Sequence, residues 1–248
     1  MSGGSSGIGR AVAEAFGALG WQVALGARGA ERLAAAAEAV TARGGRGLGL
    51  PLDVGDPDQV ASFFDQVEGA FGPVDVVVNC AAHARPGALH ELSAEEVRAE
   101  VESGLVGSLL FAREGIRRLR ERDGEGDVVF VSSSSAVVPW PLHVAYAASK
   151  AGVEQGARSL ALELEGTGVR ATVVRVGDTA GTGFAEGWDP EEFAAVSEWQ
   201  RLGLLRHAGL LTPEQVARAV TWVVGLPRSL QLDLVSVRPE APVQPERA

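Results

Sequence analysis

Short apolar runs alternate with longer amphipathic stretches from one end of the chain to the other. The runs Trp21–Ala27, Gly47–Leu52, Val74–Asn79, Asp127–Ser132, Val169–Arg175 and Asp233–Val237 predict strands. Helical patterns cover Ile8–Leu19, Ala30–Arg43, Pro57–Phe71, Ala94–Arg122, Val144–Glu165 and Pro213–Val224. Val76-Val77-Val78 and Val128-Val129-Phe130-Val131 are unbroken apolar runs, as in strands buried on both faces. Strand–helix alternation at this spacing implies a single α/β domain over residues 1–248, built on a doubly wound parallel sheet. Residues 177–211 break the rhythm. They are glycine-rich, carry two tryptophans and two phenylalanines, and predict a substrate lid. The end from Pro239 to Ala248 is expected to pack poorly.

Candidate chemistry begins at the first residues. Ser2-Gly3-Gly4-Ser5-Ser6-Gly7-Ile8-Gly9 runs directly into a helix. Glycines there let the backbone approach a pyrophosphate, and the helix N-terminus offers free N–H groups and positive potential. Loop and sheet together predict a dinucleotide-binding Rossmann fold. The strand expected before the loop is absent. Met1 therefore reads as an internal start, with a natural product beginning about 5–15 residues earlier, one strand's length. Arg28 ends the first predicted strand, where a carboxylate would hold a ribose 2′-hydroxyl and an arginine accommodates a 2′-phosphate. NADP (as NADPH) is expected as the cofactor, in preference to NAD.

Composition sharpens a second site. Of 22 basic residues one alone is lysine, Lys150, and the chain's one tyrosine, Tyr146, stands four positions before it. That offset shares a helix face. An ammonium beside a phenol lowers a pKa normally near ~10, so that the hydroxyl can trade a proton with a substrate oxygen. In a chain that otherwise uses arginine, a lysine here points to a compact charge rather than a planar fork. Ser133 lies in a serine run at the end of a strand, where it either makes a turn or aims a hydroxyl at a substrate oxygen.

Taken in order, Ser2-Gly3, Gly7-Ile8-Gly9, Asp53-Val54, Asn79-Cys80-Ala81-Ala82, Ser133 and Tyr146/Lys150 resemble the short-chain dehydrogenase/reductase family over nearly the whole chain. The resemblance implies hydride transfer between NADP(H) and a carbonyl or secondary alcohol. It makes Tyr146 the acid/base, gives Lys150 the nicotinamide ribose and the lowering of the tyrosine pKa, and lets Ser133 position the carbonyl. It further implies cofactor contacts from Gly3, Ser5, Ser6, Gly7, Ile8 and Gly9, from Arg28, from Asp53 and Val54 at the adenine, and from Asn79, Ala81 and Gly177. The nicotinamide-contacting threonine is either Thr179 or Thr182. A homodimer or homotetramer through the Ala94–Arg122 and Val144–Glu165 helices is implied as well. The chain departs from the family pattern at Ser2 (usually threonine), at Cys80 and Ala82, at Val176, and at Gly104, where the relay asparagine should fall. These departures keep open a second reading, a cofactor-binding sensor or catalytically degenerate homologue.

Trp140, Phe184 and Trp188, with Phe193 and Trp199, predict either a pocket for a bulky apolar substrate or lid packing. His83, His90, His143 and His207 show no metal-ligand spacing, so no metal is expected. A formal charge of −10 argues against nucleic acid and anionic membrane as partners. With one cysteine, Cys80, and no membrane-length apolar run, a cytoplasmic protein acting on a small molecule is expected.

Overall fold

The computed structural model describes residues 1–122, 124–186, 188–205 and 209–240. His207 and most of the C-terminal tail lie outside the described residues. Helix α1 (Gly7–Ala18) is followed by β1 (Gln22–Ala27), α2 (Ala30–Ala42), β2 (Arg46–Pro51), α3 (Pro57–Phe71) and β3 (Val76–Asn79). Then come α4 (Ala94–Val101), a π-helical turn (Glu102–Val106), α5 (Gly107–Glu121), β4 (Gly126–Ser133), α6 (Val144–Glu163) and β5 (Val169–Val176). The chain continues through α7 (Pro190–Arg201), α8 (Pro213–Val224) and β6 (Leu234–Val237).

All strand pairs are parallel, in the orders β1-β2 and β3-β4-β5-β6. Ser2 joins the two parts by bridging Gly26 on β1 and Asn79 on β3. Its N–H donates to the Val78 carbonyl (3.0 Å), while Gly26 N–H donates to the Met1 carbonyl (2.8 Å). Met1 and Ser2 thus occupy the strand position before the glycine loop. At the other end β1 and β3 stay apart around a groove of about 310 Å³ lined by Trp21, Ala24, Phe64, Val67, Val77 and Phe111.

Helices cover both faces of the sheet, which is why its strands are apolar throughout. Val128 and Phe130 of β4 join one core with Phe63, Phe64 and Phe111. Val129 and Val131, pointing the other way, join Val12, Leu25, Val174 and Val220.

Two expectations need correction. The single helix expected over Ala94–Arg122 is broken by the π turn. The break lies at glycines: a Cβ on Gly107 would stand 2.5 Å from Val54 Cγ2, so the helix passes hard against the loop that carries Val54. The irregular segment 177–211 contains α7. Asp189 Oδ1 accepts from Glu192 N–H (2.9 Å) and Glu192 Oε2 accepts from Asp189 N–H (2.6 Å), a capping box followed by a proline at the first helical position.

Candidate active site

A cavity of about 1110 Å³ runs along the carboxyl ends of the strands, from the glycine loop to Tyr146 and Trp140. Its glycine wall is fixed by close backbone packing. Gly3 and Gly7 have positive φ (67° and 50°). A Cβ on Gly3 would lie 2.6 Å from Ala81 N, on Gly7 2.2 Å from the Thr182 carbonyl oxygen, and on Gly9 2.1 Å from the Gly3 carbonyl oxygen. No other residue fits without moving backbone. The Ser2 hydroxyl accepts from the N–H groups of Cys80 (3.2 Å) and Ala81 (3.3 Å), tying this loop to the end of β3. The Ser6 side chain makes no cap to α1, which leaves the first N–H groups of that helix for a ligand.

Gly3, Ser5, Ser6, Ile8 and Gly9 line the cavity, as do Arg28, Asp53, Val54, Ala81, Gly177, Thr179 and Thr182. Gly7 and Asn79 stand behind the wall. Asn79 is buried, and neither its amide nitrogen nor its amide oxygen has a hydrogen-bond partner. Thr179 Oγ1 donates to the Gly177 carbonyl (2.9 Å), whereas Thr182 Oγ1 accepts from Phe184 N–H (3.2 Å). Arg32 was not anticipated from the sequence. It shares the cavity mouth with Arg28, lies in the first turn of α2, and forms an ion pair with Glu186 of the irregular segment (2.7 Å).

Ser133, Tyr146 and Lys150 meet on the same cavity. Lys150 is 4% exposed; its Nζ donates to the Val131 carbonyl (2.9 Å) and lies 5.7 Å from the Tyr146 ring centroid. Burial pushes the Tyr146 phenol up to about 12, and a hydrogen bond with Ser133 pulls the other way. Burial also lowers Lys150. Burial dominates the phenol, and the Lys150 Nζ beside it is turned to a backbone carbonyl. At neutral pH the phenol holds its proton.

Glu100 and His143 were missed in the sequence as site residues. Buried Glu100 accepts from Arg85 N–H (2.7 Å), and the backbone N–H of Tyr146 at the start of α6 acts on its carboxyl. Burial raises the Glu100 pKa, and these two N–H groups oppose the rise. His143 precedes α6 and is packed among aromatic rings: Tyr146 (5.6 Å), Phe184 (5.7 Å), Trp188 (5.9 Å) and Trp199 (4.7 Å) between centroids. Burial pushes it down to about 4. Trp140, Phe184 and Trp188 all reach the cavity wall. Among the described residues there is no cluster of His, Cys, Asp or Glu placed to hold a metal, and no helix long and apolar enough to cross a membrane.

Comparison with known proteins agrees with this arrangement. A short chain dehydrogenase of Pseudocercospora fijiensis is 39% identical over 179 residues, 71% of this chain and 58% of that protein. An NADPH-dependent aldehyde reductase-like chloroplastic protein of Arabidopsis thaliana is 35% identical over 241 residues, 91% of this chain and 89% of its own length. An alcohol dehydrogenase from the archaeon Thermococcus sibiricus, solved with 5-hydroxy-NADP, superposes with a TM-score of 0.81 at 28% identity, covering 99% of this chain and 97% of that one. The family model for short chain dehydrogenases matches residues 1–192, and with the loop, the sheet and the Tyr146/Lys150 site in place, the chain belongs to the short-chain dehydrogenase/reductase family of oxidoreductases.

Proposed function

We propose that this protein reduces a ketone or aldehyde of a bulky, largely apolar small molecule, or oxidises the corresponding alcohol, with NADP(H). The observation that carries this reading is one continuous cavity joining the glycine loop and Arg28 to the Ser133/Tyr146/Lys150 cluster. The cradle fits a dinucleotide: glycines whose Cβ atoms would collide with backbone, the uncapped start of α1, and two arginines at the mouth suited to a 2′-phosphate. Gly3, Ser5, Ser6, Ile8 and Gly9 would hold the pyrophosphate, Arg28 and Arg32 the 2′-phosphate, Asp53 and Val54 the adenine, and Lys150 the nicotinamide ribose. When bound, NADPH supplies the hydride equivalent that a carbonyl carbon takes up.

The remaining chemistry falls to the chain's own groups. Tyr146 Oη holds the proton that the substrate oxygen receives, and Ser133 Oγ, bonded to Ser135 N–H (3.2 Å), is fixed as a second partner for that oxygen. Lys150 is held by the Val131 carbonyl close to the Tyr146 ring. Phe184 packs edge-on against Tyr146 and against Trp188, giving the site an apolar side.

The test is NADPH consumption on a panel of bulky ketones by wild type and Tyr146→Phe. The variant should lose roughly 10²–10⁴-fold in kcat, the usual contribution of a positioned proton donor, and keep its NADPH affinity. Retained turnover in the variant would remove Tyr146 from the chemistry. NADPH binding with no turnover on any carbonyl would favour the sensor reading.

A further inference from the structure

The mouth of the cavity carries more cationic groups than the two arginines assigned above. The segment after β3 lines the cavity from Cys80 to Ala84, and His83 stands exposed on it. Bonds just beyond His83 hold this segment in place: the Ala84 carbonyl accepts from Trp188 Nε1 (3.2 Å), and Arg85 N–H donates to Glu100 (2.7 Å). The imidazole therefore sits at a fixed point of an open wall. Three charged groups act on it: Arg28 just past β1, Arg85 two residues on, and Glu192 of α7. Glu192 is taken up by Arg85 (2.7 Å), as Glu186 is by Arg32 (2.7 Å). Arg28 forms no ion pair among the described residues. What remains on the cavity is one uncompensated arginine and a histidine that can become cationic, in a chain whose formal charge is −10. Two such groups on one wall repel each other unless an anion joins them.

We propose that protonated His83 is a cofactor ligand, which grips a phosphate group of the bound dinucleotide together with Arg28 and releases it as the pH rises. The proposal rests on the dinucleotide reading above and adds a proton-linked residue to that same site. Without the anion, burial lowers the imidazole pKa from an ordinary 6.5, and Arg28 and Arg85 lower it further against the pull of Glu192. A phosphate between His83 and Arg28 reverses the sign of the surroundings, because a nearby anion favours the charged ring. The imidazolium N–H makes a charge-assisted bond to a phosphate oxygen, whereas the neutral ring offers an N–H without the charge. Binding therefore takes up a proton around pH 6, and the gain in affinity is present in acid and lost towards pH 8. The anion has two sources: the pyrophosphate, shared by NADP⁺ and NAD⁺, and the 2′-phosphate, carried by NADP⁺ alone.

Both oxidised cofactors withstand mild acid, so calorimetry at pH 6 and pH 8 gives their Kd values for wild type and His83→Gln. At pH 6 the variant should bind NADP⁺ about five- to ten-fold more weakly than wild type, and at pH 8 the two should agree within about two-fold. The 2′-phosphate itself titrates near ~6, but equally with both proteins, so the comparison isolates the histidine. In buffers of different ionisation heat, wild type should take up more protons per NADP⁺ bound at pH 6 than the variant does. A loss confined to NADP⁺ puts the ring at the 2′-phosphate, and an equal loss with NAD⁺ puts it at the pyrophosphate; either upholds the proposal. A variant that matches wild type at both pH values, or is weakened equally at both, overturns it. If wild type binds neither dinucleotide, the cofactor reading falls, and adenosine 2′,5′-bisphosphate titrated in the same way decides for the phosphate site alone. An acid-specific loss in His83→Gln then upholds it, and no such loss overturns it.

Discussion

Removing Arg28 tests the cofactor reading where it is most exposed to error. Arg28 and Arg32 stand at the mouth of the cavity, but they are not equivalent. Arg32 is already engaged by Glu186 at 2.7 Å, with both side chains more than half exposed. A charge-assisted hydrogen bond to a phosphate is worth about 1.5–3 kcal/mol, so Arg28→Ala should raise the Kd for NADPH by roughly 10–100-fold. NADH has no 2′-phosphate, and its affinity should change by less than about two-fold. Arg32→Ala should cost less, because Arg32 must first leave Glu186, and an exposed pair of this sort is worth about 0.2–1 kcal/mol. By the same reasoning Glu186→Gln frees the guanidinium and should tighten NADPH by up to about five-fold. Fluorescence titration with both cofactors at fixed ionic strength reads all three, since screening alone shifts the values. Equal weakening of NADPH and NADH in Arg28→Ala, or wild-type preference for NADH, would refute the assignment.

Three further outcomes follow from other parts of the molecule. Asp127 sits almost buried between Arg170 (2.8 Å) and Arg228 (2.8 Å), which keep backbone carbonyls and Glu125 as other partners, so Asp127→Asn should cost about 1–3 kcal/mol and lower Tm by roughly 2–12 °C. A calorimetric shift under about 2 °C would contradict it. His143 is held near 4 in the fold against an ordinary 6.5, so the unfolded chain binds the extra proton between those values. Its share of stability is complete above pH 6.5 and is lost as pH falls towards 4, by about 3 kcal/mol, and urea melts at both ends of that window should show His143→Phe less acid-sensitive than wild type. Gly9→Ala puts a methyl 2.1 Å from the Gly3 carbonyl oxygen and should abolish measurable NADPH binding in the same titration, whereas Gly20→Ala, with nothing near its Cβ, should not.

Much of the fold was legible because its signals are local. β4 and β5 are long apolar runs, α3 and α8 begin with proline after a capping side chain, and all predicted strands fall within two residues of their observed limits. The glycine loop and the Tyr146/Lys150 pair were visible because each is a sequence-local spacing. Arg32, Glu100 and His143 were not, since each acquires its meaning from a contact across the chain: Arg32 with Glu186, Glu100 with the N–H of Arg85, His143 with the rings of Phe184 and Trp188. Helix α7 had a readable capping pair in Asp189 and Glu192, but the surrounding glycines masked it.

The departure at Gly104 acquires a physical sense once the π turn is known. A Cβ there would stand 3.2 Å from Ser149 Cβ and 3.6 Å from its Oγ, so a larger residue needs Ser149 to yield. That Oγ is buried and unpaired, directly before Lys150 in α6. What the chain lacks as a side chain on the π turn it therefore faces with a hydroxyl from the opposite helix. The contacts that hold two of the candidate groups are likewise backbone: the Val131 carbonyl for Lys150 and the N–H of Ser135 for Ser133. Backbone contacts tolerate side-chain changes elsewhere, so a single missing amide at Gly104 leaves Tyr146, Lys150 and Ser133 together on the cavity, where the proposed chemistry needs them.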